Sequence, residues 1–117
     1  WECGGKNRMD EREFNGQADA MLAYIEQALE SCSLDVDYEL LPGGIIEIDF
    51  PEGGGKIVIN RHAAAREIWV AARSGGFHFR CENGQAKRWV GTRDGVELMA
   101  ALSRCMSEQS GERVALE

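Results

Sequence analysis

The sequence predicts an α+β two-layer sandwich, with an N-terminal and a C-terminal helix packed on one face of an antiparallel sheet of about five to six strands. Three observations lead there. Apolar residues recur at three- and four-residue steps over 10–32, a two-residue alternation takes over from 35 to about 90 with no helical stretch inside it, and helical spacing returns over 95–108. Consecutive strands without intervening helices join as hairpins, which makes the sheet antiparallel.

The first helix is written by Phe14, Ala18, Met21, Leu22, Ile25, Ala28, Leu29 and Cys32, one apolar stripe. At about 100° per residue Asp19, Glu26 and Glu30 fall together on another face, so the helix carries an acidic outer side. Asp35-Val36-Asp37-Tyr38-Glu39-Leu40 then alternates acid and apolar as a half-buried strand does, with Asp35, Asp37 and Glu39 on its outer face. Gly43-Gly44 makes a turn into a second strand, Ile46, Ile48 and Phe50 alternating with Glu47 and Asp49, and Pro51 to Gly55 loops back into a third, Lys56 to Asn60. Glu67 to Ala72 puts Ile68 and Val70 on one face and Trp69 on the polar one. Phe77-His78-Phe79-Arg80 and a short strand around Lys87 to Val90 follow. Asp94 and Glu97 have the D-x-x-E spacing of a capping-box variant ahead of a helix expected over Gly95–Glu108, with Gly111 as its C-terminal cap and Val114 and Leu116 as a tail able to fold back onto the core.

The chain has 117 residues, 44% hydrophobic and 28% charged. That is enough for one domain with its own core and no disulfide framework. Residues 1–8 show no period and are expected to be a cloning remnant, leaving one domain over 9–117. No apolar run approaches the ~20 residues of a membrane span, and no targeting segment is visible. Cys3, Cys32, Cys81 and Cys105 have neither CxxC nor zinc-ligand spacing, which reads as reduced thiols in a cytosolic protein. No membrane partner is expected.

A net charge of −7 has the wrong sign for a protein that neutralises phosphates, so nucleic acid is not an expected partner. The charge is also polarised. Met9 to Glu52 holds twelve acids against one base, Arg12, a net of −11, whereas Gly53 to Glu117 holds ten bases against seven acids, a net of +3. No nucleophile motif is present, and Gly53-Gly54-Gly55-Lys56 joins strand to strand where a phosphate cradle needs a helix N-terminus. His62 and His78 are too few for a two-His, one-carboxylate iron site, and the alternation leaves His78 as an outward strand histidine.

The acids are the main signal. Carboxylate oxygens are hard ligands suited to divalent cations and ferric iron, though an open ridge without a cage binds weakly. The acids of the first helix and first strand would form one continuous negative ridge if the two elements lie side by side. Such a ridge serves three uses: a solvated face, a dock for a basic partner, or a metal site. Trp69 is the second signal, beside Val58 and Asn60 of the neighbouring strand. An outward Trp is either covered by a loop or tail or used by a partner.

Gly55-Lys56-Ile57-Val58-Ile59-Asn60-Arg61, followed by Glu67-Ile68-Trp69-Val70-Ala71-Ala72-Arg73-Ser74-Gly75-Gly76-Phe77-His78-Phe79, resembles the signature of the frataxin family, most closely its bacterial CyaY-type members. With the acidic first helix and the D-V-D-Y-E strand, the resemblance covers the chain from Met9 onward. It implies the frataxin-like sandwich. It also implies weak, reversible binding of ferrous and ferric iron by surface carboxylates, here Glu26, Glu30, Asp35 and Asp37, with Asp10, Glu11 and Glu13 at the helix start. The partners it implies are the cysteine desulfurase and the iron-sulfur scaffold protein, met through Glu26, Glu30, Asp35 and Asp37 and through Asn60 and Trp69 on the sheet. The implied role is regulation of, or iron donation to, iron-sulfur cluster assembly in the bacterial cytoplasm. The implied protein is a monomer with iron-dependent oligomers as a further state, and not an enzyme; a weak ferroxidase activity is the less favoured reading. The alternative is an acidic interaction module whose metal binding is incidental.

Overall fold

A computed structural model describes residues 11–32, 36–51, 53–81, 89–112, 114 and 116. The elements are α1 (Glu11–Ser31), β1 (Asp37–Leu41), β2 (Ile45–Phe50), β3 (Gly55–His62), a 3-10 turn (Ala63–Ala65), β4 (Glu67–Ala72), β5 (Gly75–Cys81), β6 (Trp89–Gly91) and α2 (Leu98–Ser110). The six strands form one antiparallel sheet in chain order, β1-β2-β3-β4-β5-β6, with β1 and β6 at its edges. The expected sandwich is borne out.

The two periodicities decide what is buried. Phe14, Ala18, Met21, Leu22, Ile25, Ala28 and Leu29 are the buried stripe of α1, and Leu98, Met99, Ala101, Leu102, Cys105 and Met106 that of α2. They share one core with Ile46, Ile48 and Phe50 of β2, Ile57 and Ile59 of β3, Ile68 and Val70 of β4, Phe79 of β5 and Trp89 of β6. Phe14 meets Trp89 edge-on at 6.0 Å between ring centroids. Glu47, Asp49, Asn60, Trp69 and His78 alternate with core residues and so lie on the sheet's other, open face.

Gly43 and Gly44, at φ 89° and 75°, turn β1 into β2 in the left-handed region that other residues avoid. Two helix-end expectations meet different fates. Gly111 does cap α2 in a left-handed conformation at φ 77°, its N–H bonding the Ser107 carbonyl. The capping box does not form: Asp94 accepts from Val96 N–H at 3.1 Å inside the preceding turn, and Glu97 is the N-cap without a side-chain bond. Gly95 at φ 73° bends the chain there, so α2 begins later than its apolar spacing suggests.

The tail does fold back. Val114 and Leu116 are buried, and their N–H groups donate to Ser107 Oγ at 2.9 Å and Ser103 Oγ at 2.8 Å. Gln109, the buried polar residue of α2, ties the helix to two loops. Its amide donates to the carbonyls of Gly54 at 2.9 Å and Lys56 at 3.3 Å and accepts from Arg73 N–H at 2.8 Å. Among the described residues no helix is long and apolar enough to cross a membrane, and Cys32, Cys81 and Cys105 form no disulfide.

Candidate functional site

The acids divide between two surfaces that meet along β1. Glu26 and Glu30, four residues apart on α1, face the helix-side surface of β1, where Tyr38 hydrogen-bonds Glu30. Burial, that hydrogen bond and the negative charges of Glu30 and Glu26 all hold the Tyr38 phenol above its ordinary value of 10.0. Tyr38 is therefore a neutral phenol beside Glu30 at neutral pH. Asp19, on the same side of α1, pairs with Arg61 of β3, which also donates to the Asn15 side chain at 3.1 Å.

Asp37 and Glu39 point the other way. In the β1–β2 register Asp37 lies opposite Asp49 and Glu39 opposite Glu47, all on the open face. Like charges directly opposite each other repel. Lys56, reaching Glu47 at 3.5 Å and Asp49 at 3.8 Å, compensates part of this. The ridge expected to run unbroken from helix to strand is thus parted by the edge strand itself, because alternate residues of a strand must face opposite ways. Glu11 and Glu13 are exposed in the first turn of α1, beyond the Asp19–Arg61 pair. Asp10 and Asp35 lie outside the described residues. Among the described residues no three of His, Cys, Asp and Glu come together as a metal cage.

The open face is organised around Trp69. His62 stacks on one side of its ring at 4.1 Å and His78 on the other at 4.3 Å, each within 6° of parallel. Its indole N–H donates to Glu67 Oε1 at 2.8 Å. Glu67, 13% exposed, is also 3.6 Å from His78 Nδ1 and 3.6 Å from Arg80. His62 Nδ1 accepts from Ala65 N–H at 3.3 Å and so caps the 3-10 turn. Among the described residues, the rings that cover Trp69 are thus two strand histidines, from the sheet itself. The two imidazoles take the ring faces of the half-buried Trp69, and Asn60 is its register partner on the same open face.

Sequence reasoning found Trp69, Asn60 and the acids, and passed over Glu67, His62 and Tyr38 and the ring partner of His78. The signal was present in the alternation. Asn60 is outward, so His62 two residues on is outward too, and the β3–β4–β5 register brings both histidines beside Trp69.

Comparison with known proteins agrees with this geometry. The family model described as a frataxin-like domain matches residues 7–112. The chain is 52% identical over 108 residues to the iron-sulfur cluster assembly protein CyaY of Dechloromonas aromatica, covering 92% of this chain and 99% of that one. It is 46% identical to the protein of the same name from Janthinobacterium sp., covering 93% and 97%. Among solved structures, a frataxin from Psychromonas ingrahamii, of the CyaY protein family, superposes with a TM-score of 0.79 at 30% identity, covering 92% of this chain and 97% of that one. Yeast frataxin superposes at 0.56 and 27%, over 84% and 77%. A sandwich of two helices on six antiparallel strands, an outward Trp beside Asn on the sheet and a family match over nearly the whole chain all lead to one conclusion: the chain belongs to the frataxin-like, CyaY-type family.

Proposed function

We propose that the chain serves iron-sulfur cluster assembly as a non-enzymatic protein that binds ferrous or ferric iron weakly through surface carboxylates. In this reading it docks on the cysteine desulfurase and its scaffold protein in the bacterial cytoplasm, regulating assembly or donating iron. The observation that carries the reading is the acidic edge, Glu26 and Glu30 on α1 alongside β1, in a chain matched over 92% and 93% of its length by relatives named iron-sulfur cluster assembly protein. Iron is cargo here. Open carboxylates with spare coordination positions exchange an ion readily, where a closed cage would retain it. Asn60 and Trp69 offer a second contact surface across the sheet.

An anaerobic titration with ferrous iron, followed by amide NMR, tests the iron half. Broadening confined to Glu26, Glu30, Asp35, Asp37 and their neighbours is expected; no localised broadening at millimolar iron refutes it. For the docking half, the triple variant Glu26→Lys, Glu30→Lys, Asp35→Lys is expected to stay folded and lose the desulfurase, and unchanged binding refutes that half.

The alternative, an acidic interaction module with incidental metal binding, draws support from the parting of the carboxylates onto two faces with no three gathered together among the described residues. Partner binding that weakens with salt and ignores iron favours it.

A further inference from the structure

A groove of about 320 Å³ opens between α1 and the β1–β2 hairpin. Its floor is apolar, built by Leu22, Ala23, Leu40 and Ile46 among others, and Asp19, Glu26 and Arg61 stand at its rim. That volume lies at the lower end of the roughly 300–1,000 Å³ range of pockets that take a ligand or a few side chains. Leu40 is the anomaly within it. The β1–β2 register places Leu40 opposite Ile46, on the helix side of the sheet, where alternation calls for burial, yet it is 53% exposed, the one large apolar residue so exposed among the described residues. An apolar surface rimmed by charge at a sheet edge is the pattern of an interaction site.

The charge at the rim selects the occupant. Arg61 is neutralised by Asp19, whereas Glu26 makes no ion pair among the described residues and Glu30, beside Tyr38, adds a second acid nearby. A second copy of this chain would bring the same acidic edge against itself. A segment carrying cations beside apolar side chains satisfies both the rim and the floor.

We propose that this groove is the apolar anchor of the docking edge, and that it takes a partner segment with two or three aliphatic or aromatic side chains flanked by Lys or Arg. The inference rests on the proposed docking reading and adds to it. The acids steer and orient the encounter, while Leu40 and its neighbours slow dissociation by removing apolar surface from water.

The test measures binding of the full chain to the cysteine desulfurase of Dechloromonas aromatica, at low and high salt, with unfolding curves confirming that each variant is folded. Leu40→Ser is expected to weaken binding about tenfold or more, chiefly through faster dissociation, while Leu40→Met stays within about twofold. Ala23→Glu separates the groove from charge alone. Docking by charge alone predicts equal or tighter binding for the added acid, whereas an occupied groove predicts weaker binding. If Leu40→Ser and Ala23→Glu both bind like the parent while Glu26→Lys, Glu30→Lys does not, the groove proposal is overturned and the docking reading stands. If the parent chain fails to bind the desulfurase at all, both are overturned.

Discussion

Two residues show how far single side chains organise this fold. Gln109 satisfies three backbone groups, the carbonyls of Gly54 and Lys56 and the N–H of Arg73, from two different stretches of chain. Gln109→Leu keeps the volume and strands those groups, so a loss of about 1–3 kcal/mol is expected in chemical unfolding. Gly54 belongs to the same junction. A Cβ there would sit 2.6 Å from Phe50 Cβ and 2.7 Å from the Gln109 carbonyl, so Gly54→Ala is expected to destabilise by about 1–3 kcal/mol through overpacking. On the open face, His62→Ala and His78→Ala each remove one ring from Trp69 and are expected to cost about 0.5–1.5 kcal/mol in the same assay. No change in either variant refutes a stabilising stack.

At the level of elements, the edge strand β1 and the helix α1 are joined by chemistry as well as by packing. Because the folded-state Tyr38 value is raised, the stability it contributes is fully present below pH 10 and is lost as pH climbs through the higher folded value. Glu30→Gln removes both the acceptor charge and its repulsion of the phenolate. The Tyr38 midpoint, read by phenolate absorbance, is expected to fall toward 10.0, and an unchanged midpoint would detach the strand from the helix acids. In α2, burial pushes the Cys105 thiol up, against the smaller opposing pull of its Ser74 hydrogen bond. Cys105 is therefore expected to resist thiol reagents at neutral pH in the folded protein and to react once the chain is unfolded; rapid labelling of the native chain would contradict its place in the core.

Across the whole molecule, charge polarity becomes spatial polarity. The segment with a net of −11 forms α1, β1 and β2 at one edge of the sheet, and the remainder, with a net of +3, forms the other strands and α2. A basic partner is therefore steered to one edge. Raising salt from low to physiological and beyond is expected to slow association about tenfold or more. An association rate indifferent to salt would contradict the acidic edge as the docking surface. This polarity was legible in the sequence because formal charge is carried by residue identity. The pairing of Asp37 with Asp49 was not, since like charges come to oppose each other only after the β1–β2 register is set.

The sequence by itself determined the layers. The 3.6- and 2-residue periods of its apolar residues specify which face of each helix and strand is buried, and a run of strands between two helices admits few arrangements. It also determined that Asp37, Asn60 and Trp69 point outward, because a strand alternates. Only the tertiary structure decided what these groups meet. The histidine stack on Trp69, the Arg61–Asp19 pair, the Tyr38–Glu30 bond and the exposed Leu40 each join or part residues from different elements. Local periodicity sets the direction of a side chain; strand register and the seating of α1 against β1 set its neighbours, and those are properties of the packed whole.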